Sequence, residues 1–263
     1  MLFDSHAHLD DLRFGPDRDQ IIKDAKKNGI ERIINVGADL ESSLSSLELA
    51  RKYDFIFSSC GVHPHEASSY NDEIENKLWE IAQDGNTVAI GEIGLDYYYD
   101  NSPRDIQRAV FARQIRLAGK LSLPMIIHCR DAYKDCMDLL KSEKTDSQTG
   151  VFHCYSGSAE MVRDIIKKGF YVSFTGVVTF KNARKTIEAA KAVPADRLLV
   201  ETDCPYMPPE PMRGKRNVPE YIKYTAAKLA EIQGKGYEEM CGIFWDNTHR
   251  LFSRLPKHAD MVK

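Results

Sequence analysis

The chain opens with Leu2-Phe3-Asp4-Ser5-His6-Ala7-His8, a short apolar run that ends in two histidines one residue apart. Side chains two positions apart on a β-strand point to the same side, so His6 and His8 share one face. Two neutral imidazoles buried on one face need a common partner, because unsatisfied polar groups are costly in a core. The pair therefore indicates a metal site at the end of a first strand.

Seven further apolar runs follow along the chain, and amphipathic segments separate them. The eight candidate strands are residues 2–8, 32–37, 56–61, 88–93, 125–129, 151–155, 171–175 and 198–202. One intervening segment, 103–118, has helical spacing of Ile106, Val110, Ile115 and Leu117. Eight strands alternating with helices over about 250 residues predict an α/β fold of the (β/α)8 TIM-barrel type. The rival, an open doubly wound sheet, usually carries a glycine-rich phosphate turn, which this sequence lacks.

Composition favours a single domain over residues 1–263. The 36 basic and 39 acidic residues give a net charge of −3, which excludes a disordered polyelectrolyte and binding of nucleic acid by bulk charge. The six cysteines lack paired spacing, and no membrane segment or signal peptide is evident, so a cytoplasmic protein with free thiols is predicted. Nothing indicates an obligate protein partner. Segment 204–220 holds five of the eleven prolines, and we expect a long loop there over the active-site end.

Histidine or carboxylate side chains, which can bind metals, lie at the ends of four other predicted strands. They are Glu92 in the fourth strand, His128 in the fifth, His153 in the sixth, and Glu201 and Asp203 in the eighth. A barrel gathers the carboxyl ends of its strands around one cavity, where its active sites lie. Four histidines and two or three carboxylates exceed the needs of one ion, so two divalent ions bridged by a carboxylate are predicted.

The ligands divide into two predicted sets with one bridge: His6, His8 and Asp203, then His128 and His153, with Glu92 between them. Mixed nitrogen and oxygen ligands admit Mg, Mn or Zn. For Glu201 three interpretations are open. It orients a ligand from outside the centre, binds a third ion, or pairs with a buried cation.

These stretches resemble the TatD family of metal-dependent deoxyribonucleases, within the amidohydrolase superfamily. The matching motifs keep the family order over nearly the full length: DSHAHL at 4–9, GVHPH at 61–65, AIGEIGLD at 89–96, LPMIIHCR at 123–130, FHCYSG at 152–157, LVETDCPY at 199–206 and RGKRN at 213–217. The resemblance implies a divalent metal centre at the six ligands. It also implies hydrolysis of phosphodiester bonds in DNA, typically from 3′ to 5′. Homologues have been assigned other esters, such as misacylated transfer RNA.

Two ions close together suit phosphodiester cleavage, since both stabilise charge on the phosphate oxygens while one activates water. Asp203 is the predicted proton acceptor from that water, with ligation alone as the alternative. Glu92, between the ions, is the second predicted catalytic carboxylate. We expect the substrate to be DNA with unpaired ends.

Several residues near the ligands are candidates for substrate contact. The guanidinium of Arg130, two residues after His128, suits a phosphate, although a salt bridge with Asp131 or another loop carboxylate is the alternative. His63 is predicted to contact substrate or act as an acid, whereas His65 is equally compatible with a solvent-facing loop position.

The proline-rich loop carries a basic run that is predicted to contact the nucleic-acid backbone, although a solvated face is the alternative. The run comprises Arg213, Lys215 and Arg216, and Asn217 adds a directional hydrogen bond. The tyrosines at 97–99 either stack on unpaired bases or simply pack.

The cysteines Cys129, Cys154 and Cys204 each directly follow a ligand. By strand alternation they should face the helices as buried packing residues.

Two other classes of function are open. One is a small-molecule amidohydrolase, such as a lactonase or deaminase; such enzymes commonly bridge their metals with a carbamylated lysine, and here the fourth strand offers Glu92 instead. The other is a metal-dependent scaffold without catalysis. Such a protein could tolerate the replacement of metal-ligating residues, and none of the six is replaced here.

Overall fold

The computed structural model describes residues 1–256, which form a parallel β-barrel surrounded by helices. Eight strands lie side by side in chain order, and each neighbouring pair is parallel. They are Leu2–Ala7 (β1), Ile30–Val36 (β2), Ile56–Cys60 (β3), Thr87–Asp96 (β4), Met125–Arg130 (β5), Gly150–Phe152 (β6), Tyr171–Phe174 (β7) and Leu198–Val200 (β8). The barrel nearly closes where Ala7 bridges to Cys204, just beyond β8. The predicted TIM barrel is confirmed.

Helices alternate with the strands and cover the outside of the barrel. They are Arg18–Lys27 (α1), Leu40–Lys52 (α2), Asp72–Ile81 (α3), Arg104–Leu121 (α4), Tyr133–Glu143 (α5), Ala159–Lys167 (α6), Arg184–Ala192 (α7), Ile222–Gln233 (α8) and Tyr237–Leu251 (α9). Within residues 1–256, no helix is long and apolar enough to span a membrane. The last part of the predicted domain, residues 257–263, lies outside the described residues.

A mainly apolar layer, which also buries Arg32 against the rings of Phe57 and Trp245, fills the amino-terminal half of the barrel. A buried cluster takes at least one side chain from every strand, including Phe3, Phe57, Ile126, Val151 and Leu199. Since alternate residues on a strand face the same side, the next inward positions of β5, β6 and β8 are 128, 153 and 201. The strand period therefore carries ligand-type side chains into the barrel directly above an apolar floor.

Strands β6 and β8 end three and two residues earlier than predicted, which changes how two ligands are positioned. Strand β6 ends at Phe152 and β8 at Val200, so His153 and Asp203 lie beyond the regular strands. The next residue after His153, Cys154, has φ +42°, and Asp203 itself has φ +55°. These left-handed conformations break strand alternation, and they are strained for most side chains. The prediction that Glu201 and Asp203 both belong to the end of the eighth strand is therefore wrong, because both follow its last residue, although both side chains are buried.

Candidate metal centre

The carboxyl ends of the strands surround a cavity of about 720 Å³. Five of the six predicted ligands line it, namely His8, Glu92, His128, His153 and Asp203. The sixth, His6, is completely buried beside them. The barrel thus brings together side chains that are far apart in sequence: His6 and Asp203 are 197 positions apart, yet Nε2 of His6 lies 3.8 Å from Oδ1 of Asp203.

Glu92 lies at the middle of this cluster, and its two oxygens face different histidines. Oε1 is 2.7 Å from Nε2 of His153 and 2.9 Å from Nδ1 of His128. Oε2 is 3.4 Å from Nε2 of His6 and 3.7 Å from Nε2 of His8. A carboxylate with each oxygen turned to a separate set of imidazoles has the arrangement of a bridge between two ions.

A glycine allows the strand that carries Glu92 to approach β5. Gly94 has φ +143°, and a Cβ at this position would collide with the carbonyl oxygen of His128. Only glycine avoids both the unusual conformation and the collision. The spacing between Glu92 and His128 therefore depends on this residue.

Hydrogen bonds outside the cluster fix the tautomers of two histidines. Nδ1 of His8 is 2.9 Å from the carbonyl oxygen of Val36, which can only accept, so Nδ1 carries the proton. Nε2 of His128 is likewise 3.0 Å from a carboxylate oxygen of Asp96. The opposite nitrogen of each ring therefore points toward the cluster, and it carries the lone pair that can bind a metal whenever the ring is neutral.

The donor atoms of the cluster fit a divalent cation. Nε2 of His6 and Nε2 of His8 face each other at 3.1 Å, and Asp203 Oδ1 lies 3.4 Å from the latter. Nδ1 of His6 is buried with no hydrogen-bond partner among residues 1–256. Three groups bring one donor atom from each member within 4.8 Å: His6, His8 and Asp203; His63, Glu92 and His128; and His6, His153 and Glu201. Several buried nitrogen and oxygen donors this close together would be mutually unfavourable without a shared cation.

Histidines and carboxylates of the cluster shift one another's pKa toward the charged form. Burial would raise the pKa of Glu92, but the imidazoles of His153 and His63 outweigh it and the pKa lies well below its usual range. Burial would lower the pKa of His8, but Asp203 and Glu92 outweigh it and raise it to about 9. Burial likewise opposes the ionised form of Asp203, whose pKa is nevertheless lowered by His8 and His6. Both carboxylates are therefore ionised at neutral pH.

His63 lies nearer the cluster than its sequence position suggested. Its Nε2 is 3.3 Å from Oε1 of Glu92, and burial lowers the pKa of the ring to about 4, so the ring is neutral. Nδ1 accepts the backbone N–H of His65 at 3.1 Å. The proton of the neutral ring is therefore on Nε2, which points to Glu92 as a donor. This tautomer suits the predicted contact with substrate better than a place among the ligands.

Asp96 is a site residue that the sequence reasoning missed. Its Oδ2 is 3.0 Å from Nε2 of His65 and 3.0 Å from Nε2 of His128. Its Oδ1 accepts the backbone N–H groups of Tyr98 and Tyr99 at 3.0 and 2.9 Å. The available signal was the last residue of the AIGEIGLD motif, a carboxylate at the end of β4 four residues after Glu92.

Glu201 is completely buried and holds its neighbours in place. Its Oε1 accepts the backbone N–H of Cys154 at 2.6 Å and lies 3.6 Å from Nδ1 of His153. Its Oε2 accepts the hydroxyl of Ser173 at 2.7 Å. These contacts fix Glu201 beside His153, and because Glu201 also belongs to a possible metal-binding group with His6 and His153, its role among the three interpretations stays a prediction.

A second buried carboxylate, also missed, fixes the segment that carries Asp203. Asp4 accepts the backbone N–H of Thr202 at 2.9 Å and its hydroxyl at 2.5 Å. Burial raises the pKa of Asp4 to about 7, against the effect of these hydrogen bonds. Asp4 therefore ties the first strand to the residue just before Asp203.

Arg130 and the three tyrosines lie at the mouth of the cavity. The Arg130 guanidinium is 4.0 Å from the ring centre of Tyr98 and 4.9 Å from that of Tyr99, and Arg130 lines the cavity. Tyr97 instead donates its hydroxyl to Asp135 at 2.7 Å. Packing therefore accounts for Tyr97, whereas Tyr98 and Tyr99 are exposed, and stacking on bases stays a prediction for these two.

The basic loop is arranged differently from the expectation. Asn217 is completely buried, and its amide nitrogen donates to the carbonyl oxygens of Thr202 and Tyr206 at 2.9 and 2.6 Å. This placement argues against a direct contact between Asn217 and substrate, because both of its N–H groups are used by the loop backbone. Arg216 forms a salt bridge with Asp17, with 2.6 Å between Nη2 and Oδ2.

The other two basic residues of the loop remain available to solvent. Arg213 and Lys215 are exposed, and neither belongs to the lining of the cavity formed within residues 1–256. The guanidinium of Arg213 lies 4.2 Å from the ring centre of Phe180. Contact with a nucleic-acid backbone beyond the cavity stays a prediction for both.

The cysteines follow the predicted orientation only in part. Cys204 is completely buried, as expected for a side chain that faces the helices. Cys129 is only partly buried and belongs to the lining of the cavity. Cys154 also lines the cavity, with its sulfur 3.5 Å from the hydroxyl of Thr175. The cause is its left-handed backbone, which ends strand alternation at this residue.

An eight-stranded parallel barrel with a histidine–carboxylate cluster at the carboxyl ends of its strands defines a metal-dependent barrel hydrolase. The model of the family described as TatD related DNase matches residues 3–253, and the chain belongs to this family. It is accordingly a metal-dependent hydrolase that acts on ester bonds.

Individual relatives agree with this assignment. An uncharacterized metal-dependent hydrolase of Bacillus subtilis is 46% identical over 252 residues, which is 96% of this chain and 99% of that protein. A protein of Rahnella sp. named 3′-5′ ssDNA/RNA exonuclease TatD is 34% identical, covering 96% of this chain and 98% of its own length. The crystal structure of a TatD homologue from Escherichia coli superimposes with a TM-score of 0.90 at 28% identity, over 97% of this chain and 98% of that one.

Proposed function

We propose that the protein is a divalent-metal-dependent deoxyribonuclease that removes nucleotides from the 3′ ends of single-stranded DNA. The observation that carries this proposal is Glu92, whose two oxygens face two separate histidine sets at the floor of an open cavity. The name of the Rahnella relative supports the reaction and its polarity. We further propose two divalent ions, Mg, Mn or Zn, as the resident cofactors.

The proposed ligands are those set out from the sequence: His6, His8, Glu92, His128, His153 and Asp203. When bound, divalent ions activate water and stabilise negative charge on the phosphate oxygens. Asp203 is ionised and partly open to the cavity, so it can accept the proton of the attacking water. His63 and Arg130 line the same cavity as Asp203. The guanidinium of Arg130 can donate to phosphate oxygens, and Nε2–H of His63, which otherwise donates to Glu92, can turn to a phosphate oxygen of the substrate.

The test is cleavage of end-labelled single-stranded DNA with Mg or Mn, with and without EDTA, by the wild type and by Asp203→Asn. Shortening from the 3′ end that disappears with EDTA and falls at least about 100-fold in the variant is expected, since the ligand and the proton acceptor are lost together. The matched control is Asp196→Asn, an exposed aspartate before β8 at the opposite end of the barrel, which should retain full activity. No shortening by a folded, metal-loaded wild type would contradict the proposal and direct attention to other esters.

A further inference from the structure

Two arginine–tyrosine pairs stand at the mouth of the cavity, and the reaction as proposed uses only Arg130 from them. In the first pair, the guanidinium of Arg13 lies 4.0 Å from the ring centre of Tyr206. Asp11 accepts from Nε and Nη2 of Arg13 at 2.9 and 2.7 Å and from the Tyr206 hydroxyl at 3.2 Å. The ring of Tyr206 is therefore fixed at its hydroxyl and next to a cation.

The second pair is fixed through the backbone. Arg130 lies above the rings of Tyr98 and Tyr99, whose N–H groups both donate to Oδ1 of Asp96. The ring of Tyr99 meets that of His65 edge-on, with 5.4 Å between centres. Such fixed rings lose little conformational entropy when a ligand covers them.

The rings are exposed although they are large and partly apolar. The exposed fractions are 43% for Tyr206, 59% for Tyr98 and 54% for Tyr99. Tyr206 and Tyr99 both line the cavity, and the ring of Tyr206 is 6.1 Å from that of His8. The open ring of Tyr206 therefore lies beside the proposed ligand His8, and that of Tyr99 lies beside His65, which shares the acceptor Asp96 with the proposed ligand His128.

The topology places the two pairs on opposite sides of the candidate metal centre. Tyr206 follows β8, next to β1, whereas Tyr98 and Tyr99 follow β4, next to β5. In a ring of eight strands in chain order, these two positions are half a turn apart. A chain that crosses the cavity mouth through the centre therefore meets one pair on each side.

We propose that the two pairs are stacking sites for unpaired bases, one on each side of the phosphate that is hydrolysed. This inference rests on the proposed function. An aromatic ring with an adjacent guanidinium suits any base, since every base has a π-face and the cation favours the neighbouring phosphate. The net charge of −3 argues against binding by bulk charge, so stacking would add affinity to that of the local cations Arg13 and Arg130. Duplex bases are already stacked on each other, and the sites therefore select single strands.

The experiment measures binding and turnover separately. Fluorescence anisotropy with labelled single-stranded DNA is done in the Asp203→Asn background with Mn, and kcat/KM is measured with the active enzyme. Tyr206→Leu and Tyr99→Leu are each expected to weaken binding and lower kcat/KM by roughly 5- to 50-fold, the loss of one base–aromatic stack. Tyr99→Phe keeps the ring and should stay within about twofold of the wild type. Tyr206→Phe keeps the ring but loses the hydroxyl contact with Asp11, so its loss should be clearly smaller than that of Tyr206→Leu. Tyr237→Leu, on α9 and 37% exposed, is the matched control and should match the wild type.

Abasic substrates identify the role of each ring. If Tyr206 stacks on a base, DNA that lacks this base should bind to the wild type and to Tyr206→Leu with equal affinity. The same comparison applies to Tyr99→Leu and DNA that lacks the base on the other side of the phosphate that is hydrolysed. Equal losses on intact and abasic DNA, or no loss on either, would overturn the inference. In that case cleavage of single-stranded DNA by the wild type would leave the proposed function standing. A wild type that neither binds nor cleaves this DNA would overturn both.

Discussion

The carboxylate of Asp96 joins the candidate metal centre to the mouth of the cavity. It accepts from two imidazoles through Oδ2 and from two backbone N–H groups through Oδ1. Burial would raise the pKa of Asp96, but the hydrogen bonds from His128 and the tyrosine backbone outweigh it, and the pKa lies far below its usual range. Asp96 thus stays ionised, keeps the proton of His128 on Nε2, and leaves Nδ1 free to bind a metal.

Replacement of Asp96 tests this positioning role. Asp96→Asn keeps the shape of the side chain but weakens the acceptor that fixes the tautomer of His128. We expect divalent-metal affinity to fall by about 10- to 100-fold, as is typical when the partner of a ligating histidine is lost. Calorimetric titration of the stripped protein with Zn or Mn measures this directly, without reference to turnover.

Asp105→Asn, at an exposed position in the first turn of α4, supplies the matched control. Its metal affinity should equal that of the wild type. If Asp96→Asn also binds metal with wild-type affinity while remaining folded, Asp96 does not position His128.

At the scale of elements, helix α4 shows where sequence periodicity misleads. The spacing predicted Ile106 on the apolar face, yet this side chain is 38% exposed, whereas Gln107 and Gln114 are completely buried. Gln107 accepts the N–H of Asp96 and donates to the carbonyl oxygens of Asp96 and Ser102. Gln114 pairs in the same way with the N–H and carbonyl of Val62. The two amides thus connect α4 to the ends of β3 and β4.

The contrast between these neighbours gives a stability prediction. Gln107→Leu leaves the three backbone groups at Asp96 and Ser102 without a partner, so the free energy of unfolding should fall by about 3 kcal/mol. Ile106→Ala, one residue earlier and exposed, should change it by less than about 1 kcal/mol. Urea unfolding with a common slope measures both. A larger loss for Ile106→Ala than for Gln107→Leu would show that the helix is held by its apolar face.

The strands and most candidate ligands could be predicted because both depend on local patterns. Apolar runs at regular intervals specify the barrel, and a barrel brings the ends of its strands together whatever the loops do. Asp96, Asn217 and the tautomer of His63 could not be predicted in the same way. Their roles depend on which backbone groups the neighbouring loops leave unpaired, and no periodicity in the sequence records that.

At the scale of the whole molecule, the barrel interior is divided along its axis. The amino-terminal half is mainly apolar, with side chains from every strand and a buried cation, Arg32, against the rings of Phe57 and Trp245. The carboxyl-terminal half holds buried imidazoles and carboxylates. The polar half packs Nε2 of His6 against Nε2 of His8 and leaves Nδ1 of His6 without a partner among the described residues. Burial of such groups opposes folding unless a cation compensates, so metal binding and global stability should be linked.

Removal of metal should therefore destabilise the whole protein. A cation that binds the folded state alone, at about 100 times its dissociation constant, stabilises it by about 2.7 kcal/mol. In a chain of this size each kcal/mol shifts Tm by about 2–4 °C, so stripping with a chelator should lower Tm by roughly 5–10 °C. Thermal scans against Zn or Mn concentration should show Tm rising with the logarithm of free metal.

The matched variants show whether that rise comes from the cluster. His8→Gln removes one proposed ligand and should lose most of the rise in Tm, because its lone pair on Nε2 is gone. Asp196→Asn, at the other end of the barrel, should keep the full rise. A Tm that is independent of metal in the wild type would mean that the polar half of the barrel is stable without a cation and that its charges are balanced by one another alone. An equal rise in His8→Gln would mean that the stabilising ion binds without His8.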